Sequence, residues 1–551
     1  MDLGEIDDIE KQFFLSDEII EPDSEVELAP PKRKPRRRQV LSDSENEMSP
    51  PESPPNESMW TLPQGNQVTI IPFTDFPGLK PFSLRHTMNM SQPFDFYSLL
   101  VPDTLFESIA LETNTFAMQQ LAKNTRSKSR LIKWKATDKE EIKKLFGILL
   151  WMGMVKLPKL SLYWSKNKMF VQDFVKSVMS RNRFEILLRT LHFVDNESSL
   201  NNDRLHKIRP IIEALNKTFS SHYTPNKELC VDESLIPFRG RLIFRQYNKQ
   251  KRHKYGIKLF KLCSNPGYTL KIHIYAGKNF DAEHTTPTNV VLSLCKDILN
   301  KGHTLCTDNW YTNLDLARKL IASETHLIGT LRKNRKGLPK VVVQTKLKKD
   351  EFIARESTDG ITVMKWRDKR EVLVLSTKHS IGFKKIIKKG REIIKPKIVV
   401  DYNCAKSSVD LSDQLAAYST PLRKTLKWYK RLGFELLLNT AVINSMILYK
   451  ETTRKSISVV DFRTALIENL IATNPELEMT RDLRPKRLKH ELKKRVGLAK
   501  TVRKYCKRCY KNNSKSNNRQ LSRKITKKVT TYCANCPGEP HFCLPCFNSE
   551  H

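Results

Sequence analysis

The sequence predicts a multidomain α/β protein, and three observations support this fold class. The chain of 551 residues is too long to fold around a single hydrophobic core. Apolar residues recur at helical spacing from about residue 90 to 220, whereas short β-rich runs follow from about residue 228. Six of the 11 cysteines crowd into the C-terminal end, which predicts a separate cysteine-rich module there.

The charge balance points to a polyanionic partner. The chain carries 97 Lys and Arg against 59 Asp and Glu, a formal net charge of +38. A basic surface releases the counterions condensed on phosphate, so nucleic acid is the expected partner. Charge alone is equally consistent with a soluble basic accessory protein.

The expected compartment is reducing. We find no apolar run of membrane-spanning length and no basic-then-apolar N-terminal signal, so no membrane partner is expected. Five cysteines are scattered singly, which does not resemble a secreted disulfide framework. Residues 1–58 are acidic and then rich in Ser, Pro and Glu, which predicts a disordered tail. Within this tail the basic cluster Pro31–Arg38 fits a nuclear-import signal, so a nuclear location is expected.

Helices are predicted for the region that precedes the β-rich part. Thr137 to Glu140 form a capping box, and the apolar residues after it, beginning with Ile142, lie on one helical face. Further helical runs are predicted from Arg183 to Phe193 and from Ile211 to Phe219.

The β-rich part has the element order of an RNase H-like catalytic core with an inserted β-rich subdomain. Strands, a helix, another strand, a strand-rich block and then helices succeed one another between about residues 228 and 453. The predicted elements are strands at Leu229–Val231, Leu242–Tyr247, Ile257–Cys263, Thr269–Ala276, Thr304–Cys306, His326–Leu331, Val363–Trp366, Val372–Ser376 and Lys397–Val400, and helices at Asn289–Leu299, Leu314–Ile321 and Asp410–Thr453.

Three aspartates are the candidate catalytic residues. Asp232 and Asp308 follow apolar strand-like runs, and Asp410 stands at a predicted helix start. Carboxylates gathered at one point are costly unless a divalent cation neutralises them. Mg²⁺ is held by a few oxygen ligands plus substrate phosphates, and paired ions drive in-line phosphoryl displacement. The pattern therefore predicts two catalytic Mg²⁺ ions and cleavage and rejoining of DNA.

Each aspartate also has an ordinary structural explanation. An Asp at a strand end often forms a turn or caps a helix. Asp410 is consistent with such a cap, in which case Asp413, one turn on, would be the metal ligand. Glu233 is an alternative to Asp232.

The C-terminal module carries a zinc-binding pattern. Paired CxxC sequences bring two thiolates to one tetrahedral metal, and two Zn²⁺ ions in interleaved sites are expected. So small a module would draw much of its folding energy from metal. A set of redox thiols is the rival interpretation, and ligand roles for His541 and the final His551 are left open. The eight candidate zinc ligands are Cys506, Cys509, Cys533, Cys536, His541, Cys543, Cys546 and His551.

Six motifs resemble those of the piggyBac transposases, and the similarity extends from about Phe94 to the C-terminus. These motifs are Val231–Arg241, Lys254–Lys258, Asp308–Thr312, Gly329–Arg335, Val400–Asn403 and Val409–Gln414. The resemblance implies a DDD/DDE-type cut-and-paste DNA transposase with an RNase H-like fold and the triad Asp232, Asp308 and Asp410. It also implies Mg²⁺, with Asp413 as a further metal-site residue, hairpinned transposon ends and insertion at TTAA. It further implies that the cysteine-rich module recognises the terminal inverted repeats and helps homodimerisation.

Basic residues near the motifs are candidate DNA contacts, although solvated faces have the same composition. Trp310 either wedges against a base or packs beneath the site. The candidate DNA-binding residues are Arg239, Arg241, Arg332, Lys333, Asn334, Arg335, Arg423, Lys424 and Lys427.

The predicted organisation supports an active transposase on double-stranded DNA. A domesticated DNA-binding or chromatin protein without transposition activity is the alternative, and a structure-specific nuclease is a third interpretation that leaves the zinc module unexplained. The predicted domains are the tail 1–58, a helical dimerisation and DNA-binding domain 90–225, the first part of the catalytic core 226–325, a β-rich insertion 326–400, core completion with a helical DNA-binding region 401–474, a basic linker 475–504 and the zinc module 505–551.

Overall fold

The computed structural model divides the chain into two compact units, Met1–Ala472 and Thr473–His551, which are described separately. The structure describes residues 59–80, 90–123, 129–198, 203–249, 253–277, 286–388, 391–422, 425, 427–472 and 490–550. The tail 1–58 and the basic cluster within it lie outside these residues.

The first unit begins with helices that pack on one another through apolar faces. Asp138 caps the third helix by accepting from the backbone N–H of Glu141. Phe146 and Leu149 of that helix are buried in the main hydrophobic core. The helices of this region are α1 (Pro93–Leu100), α2 (Asp103–Ala122), α3 (Lys139–Met154), α4 (Asp173–Val178), α5 (Arg181–Thr190) and α6 (Arg209–His222), with 3₁₀ turns at Arg130–Lys133, Leu160–Trp164, Asn196–Ser198 and His206–Ile208.

A ten-stranded mixed sheet forms the centre of the first unit. Its strands are β1 (Trp60–Thr61), β4 (Glu228–Pro237), β5 (Gln246–Tyr247), β6 (Tyr255–Ser264), β7 (Tyr268–Ile274), β8 (Thr304–Thr307), β9 (His326–Thr330), β10 (Phe352–Ser357), β11 (Thr362–Arg367) and β12 (Glu371–Ser376). They lie in the order β1-β10-β11-β12-β9-β8-β4-β6-β5, and β7 also pairs with β6. β4, β8 and β9 run parallel, so their carboxyl ends meet at one edge. The pair β2 (Gly78–Leu79) and β3 (Tyr223–Thr224) lies apart.

The segment predicted as an insertion extends the central sheet. β9 to β12 add four strands to it, and β13 (Phe383–Lys388) pairs with β14 (Arg391–Pro396) in a separate hairpin. The strand predicted at Lys397–Val400 was wrong, because these residues begin a helix that reaches Ala405. Their β-branched side chains favour a strand, but Pro396 precedes the helix, and Ile398 and Val399 are buried against the sheet.

Helices complete the first unit. They are α7 (Pro287–Cys295), α8 (Leu314–Ile321), α9 (Lys340–Gln344), α10 (Lys397–Ala405), α11 (Ser408–Ala417), α12 (Trp428–Glu435), α13 (Ala441–Thr453) and α14 (Val459–Ile471). A π-helical turn at Leu436–Thr440 joins α12 and α13 into one run. By length and composition this run, Trp428–Thr453, is apolar enough to cross a membrane, but its apolar window is 100% buried inside the fold. The core helix of a soluble protein passes the same test.

The second unit is a small module of short strands and helices. It contains β15 (Leu492–Lys494), β16 (Lys504–Tyr505), β17 (Lys528–Val529), β18 (Thr531–Cys533), α15 (Ala499–Val502), α16 (Lys507–Ser516), α17 (Arg519–Ile525) and α18 (Leu544–Glu550). β15 pairs with β18, and β16 pairs with β17. Residues from 490 onward take part in the fold of this unit, whereas the predicted zinc module begins at residue 505. The predicted domain bounds stay predictions.

Candidate active site

Two parallel strands bring the first two aspartates together. In the register of β4 and β8, Val231 lies opposite Thr307. Asp232 and Asp308 are the next residues of the two strands, so they are neighbours at the carboxyl edge of the sheet. The apolar residues before them, including Leu229 and Leu305, are fully buried and fix both strands in the core.

Helix α11 supplies the third aspartate. Val409 of this helix packs on Cys230 and Cys263, and Ser234 donates to Asp413 Oδ1 at 2.8 Å. Alternate residues of a strand share one face, so α11 covers the face of β4 that carries Asp232. Asp410 lies exposed in the first turn of α11, close enough to Asp232 to raise its pKa.

The carboxylates repel one another in a partly buried place. Burial, followed by the charges of Glu233, Asp308 and Asp410, raises the pKa of Asp232 to about 8. Burial also raises the pKa of Asp308, with a further contribution from Glu233. A divalent cation relieves both effects, since it supplies the missing countercharge. The donor set of carboxylate oxygens therefore fits Mg²⁺.

The carboxylate group is open. Among the described residues, the groups of three or more potential ligands whose atoms all lie within 4.8 Å of one another are both in the C-terminal unit. The aspartates are thus more widely spaced than a closed protein cage. Mg²⁺ usually retains several waters and substrate oxygens, so an open set suits it better than it suits a structural ion.

The two alternative carboxylates, Glu233 and Asp413, have other partners in the structure. Glu233 follows Asp232 in β4 and so lies on the opposite face, where it accepts a hydrogen bond from Tyr311 Oη at 3.4 Å. Asp413 is held through Oδ1 by Lys261, whose Nζ lies 2.7 Å away. The catalytic roles of Asp232 and Asp410 stay predictions.

The loop after Asp308 is fixed by packing and by basic residues. Trp310 stacks on Phe260 with a centroid separation of 5.8 Å, so it packs beneath the site. Arg332 Nε donates to Asn309 Oδ1 at 3.1 Å. Burial raises the pKa of Asp308, and the positive charge of Arg332 offsets a small part of that rise. Arg335 donates to the backbone carbonyls of Asn309 and Trp310.

The remaining candidate DNA contacts occupy different environments. Arg239 and Arg241 are exposed after β4, and Asn334 is exposed in the basic loop. Lys333 is exposed and pairs with Glu371 at 3.0 Å. Lys427, before α12, is half-buried. Arg423 and Lys424 lie outside the described residues.

A cluster of four cysteines lies in the C-terminal unit. The Sγ atoms of Cys506 and Cys543 are 3.7 Å apart, those of Cys509 and Cys543 3.8 Å, and those of Cys509 and Cys546 3.4 Å. A tetrahedral Zn²⁺ with Zn–S bonds of about 2.3 Å places its sulfurs about 3.8 Å apart. Burial opposes ionisation of Cys506, but hydrogen bonds from the backbone of Cys509 and Cys543 outweigh it and lower its pKa to about 7. The geometry fits zinc.

A second cluster contains a ligand that the sequence analysis missed. His490 Nδ1 lies 3.3 Å from the Sγ atoms of both Cys533 and Cys536. The two clusters alternate along the chain, as the predicted interleaving requires. His490 stands far from the CxxC pairs in sequence and is brought to them by the pairing of β15 with β18. Only its place just before a strand of the module could have indicated it.

The sequence analysis left the ligand role of His541 open, and this role stays a prediction. Among the described residues it joins neither cluster. Its ring is buried beside Tyr532, at 6.1 Å between centroids. His551 lies outside the described residues, so its predicted ligand role stays a prediction.

Comparisons with known proteins agree with this arrangement. The family model described as Transposase IS4 matches residues 92–446. The human piggyBac transposable element-derived protein 3 is 26% identical over 407 residues, covering 70% of this chain and 66% of that protein. For the human piggyBac transposable element-derived protein 5, identity is 23% over 68% of this chain and 75% of that protein. The chain thus spans slightly less than two thirds of the first of these relatives.

A solved structure shows the same fold. The cryo-EM structure of a piggyBac transposase synaptic complex with hairpin DNA superposes with a TM-score of 0.65 at 25% identity, covering 84% of this chain and 94% of that chain. The family model spans more than half of the chain and includes all three aspartates. The chain therefore belongs to the Transposase IS4 family, in its piggyBac type.

Proposed function

We propose that this chain is a metal-dependent DNA transposase that works by cut-and-paste transposition. The observation that carries the proposal is the meeting of Asp232 and Asp308 at one sheet edge, with Asp410 in electrostatic range. In a chain of net charge +38, such a site is suited to a phosphodiester. Family membership supports a transposase-type activity, and the structural neighbour supports DNA as the partner.

We assign the metal-binding roles to the three aspartates and a DNA-binding role to two arginines. In an RNase H-like core, Asp232 and Asp308 would hold the catalytic Mg²⁺ ions, and Asp410 would complete one shell from α11. Bound metal activates a water or 3′-hydroxyl and stabilises the leaving oxygen. Arg332 and Arg335 bring positive charge beside Asp308, where the DNA backbone would approach. The reactions we assign are strand cleavage, hairpin formation and strand transfer at TTAA.

We assign recognition of the transposon ends to the C-terminal module. Its thiolate clusters supply two structural zinc sites, and its exposed basic residues suit the DNA backbone. Two copies of the chain acting together would engage both ends, so we propose a homodimer. The basic cluster Pro31–Arg38 supports action in the nucleus.

A plasmid excision assay with native flanking DNA tests the catalytic assignment. Asp232→Asn, Asp308→Asn and Asp410→Asn are each expected to reduce excision to background while DNA binding persists, because each removes a metal-binding charge. Asp315→Asn, which changes an exposed aspartate paired with Lys319 on α8, is the matched control and should excise normally. Wild-type excision by any triad variant would remove that aspartate from the active site.

Truncation before Cys506 tests the module. Binding to terminal repeats is expected to weaken far more than binding to random duplex, since only the former depends on end recognition. Both affinities are measured at one salt concentration. Equal losses on the two DNAs would assign the module a non-specific role.

A domesticated DNA-binding protein is the second candidate, and the names of the human relatives favour it, since they are described as transposable element-derived. Here the fold would bind DNA without moving it. Wild-type protein that binds the native ends but gives no excision product would support this candidate.

A further inference from the structure

A fully buried lysine lies next to the carboxylate site, on the strand that pairs with β4. Lys261, on β6, has no exposed side-chain surface, and in the sheet register it faces Asp232 of β4. Its Nζ lies 2.7 Å from Asp413 Oδ1 on α11. Removing an ammonium from water is unfavourable unless a well-placed partner offsets the lost hydration. Asp413 is the partner that makes this burial tolerable.

The same carboxylate oxygen ties together three elements. Ser234 of β4 and Lys261 of β6 both donate to Asp413 Oδ1, at 2.8 and 2.7 Å. Asp413 therefore fastens α11 to the two strands that flank the site. Asp410 lies one helical turn before Asp413 on α11, so the rotation that seats Asp413 also sets the direction of Asp410.

Further buried polar groups support Lys261 from behind. Glu435 lies within electrostatic range of Lys261, and its Oε2 accepts from Asn439 Nδ2 at 2.8 Å. Arg463 Nη2 donates to Asn439 Oδ1 at 3.1 Å. Asn439 belongs to the π-helical turn between α12 and α13, a kind of irregularity that often marks functional sites. Positive and negative side chains alternate from Lys261 through Glu435 to Arg463, and this alternation stabilises each buried charge.

We propose that Lys261 is a positioning residue for the transposase site. Its ammonium engages Asp413 as an ion-pair partner, keeps that carboxylate out of the metal shell, and fixes α11 so that Asp410 is directed towards Asp232 and Asp308. The proposal rests on the proposed function and deepens it, because it assigns Asp413 to the helix anchor instead of to Mg²⁺.

A second buried lysine provides a matched control. Lys365 on β11 is 2% exposed, donates to the carbonyls of Val343 and Thr345, and pairs with Glu371 at 3.3 Å. It lies in the same sheet, three strands away from β8, and touches no triad residue in these contacts. Lys365→Met therefore reports what loss of a buried ammonium costs when no metal site is involved.

Mn²⁺ binding without DNA tests the role of Asp413 directly, by calorimetric titration. Asp232→Asn is expected to weaken binding at least about tenfold, as loss of a ligand does. Asp413→Asn should weaken binding less than Asp232→Asn does, because an anchor acts through the position of α11 and not as a ligand. An affinity for Asp413→Asn as low as that of Asp232→Asn would make Asp413 a metal ligand and overturn the proposal.

Excision rates test the role of Lys261. Lys261→Met is expected to slow excision about tenfold or more, since loss of a positioning partner typically costs this much activity. It should weaken Mn²⁺ binding less than Asp232→Asn does, because Lys261 is not a ligand. The double variant Lys261→Met with Asp413→Asn should recover part of the rate, because it leaves no unpaired buried charge. Lys365→Met should excise normally at a temperature where it is folded. A wild-type rate for Lys261→Met would overturn the proposal.

Chemical denaturation separates a loss of stability from a loss of positioning. Chemical denaturation of each variant should place the midpoint of the double variant above that of Lys261→Met, as expected for a coupled buried pair. A midpoint no higher would contradict the coupling of Lys261 and Asp413. If wild-type protein excises nothing, the proposed function fails alone, and the Mn²⁺ and denaturation results still decide the positioning role.

Discussion

The two units of this chain are stabilised by different means. The first unit encloses a large apolar core in which residues such as Phe146, Leu229 and Leu305 are fully or almost fully buried. In the second unit the buried apolar cluster contains Cys506, Cys533 and Phe542, with further cysteines packed around it. A module this small buries little apolar surface, so we expect metal ligation to supply much of its stability. If both units bind metal as proposed, the metal would serve catalysis in the first unit and folding in the second.

Metal removal is the largest effect expected from this difference. A zinc chelator should unfold the C-terminal unit, because structural zinc contributes on the order of 10 kcal/mol to the folding of small modules. The first unit should keep its fold, since its metals would serve catalysis. Limited proteolysis with mass spectrometry can locate the cleavages. If residues 490–550 resist proteolysis in the zinc-free protein, the second unit does not need zinc to fold.

A cavity in the apolar core should destabilise the first unit and leave the second unit folded. Leu305→Ala on β8 removes a fully buried side chain and should destabilise the first unit by about 2–5 kcal/mol. The zinc content should stay unchanged, because the second unit has its own support. Denaturant unfolding and metal analysis of the same sample check both statements. A loss of zinc with Leu305→Ala would show that the units fold together.

The sequence could predict those elements that local patterns determine. The helix Leu314–Ile321 was predicted with the bounds that the structure has, because its apolar period is strong and Asn313 caps it. The predicted strand Leu242–Tyr247 is reduced to Gln246–Tyr247. Strand propensity depends on neighbours that the sequence does not display, so this part was less predictable.

The sequence was enough to select the candidate aspartates, but it did not reveal the contacts that hold the site together. Asp232 and Asp308 follow apolar strand runs, and this context allowed their selection before the structure. The pairing of Lys261 with Asp413 joins residues far apart in sequence, and no local pattern announces a buried lysine. His490 was missed for the same reason, since β15 must pair with β18 before the ring meets two thiolates.

The second zinc site gives the smallest effect and the sharpest test of the module. His490→Ala should lower zinc affinity at one site about tenfold to a hundredfold and leave the four-cysteine site occupied, because each cluster has its own ligands. His541→Ala should retain zinc at both sites and cost only packing, since its ring lies outside both clusters. Competition with a chromophoric chelator measures both affinities. Zinc loss with His541→Ala and none with His490→Ala would reverse the assignment and make His541 the ligand of the second site.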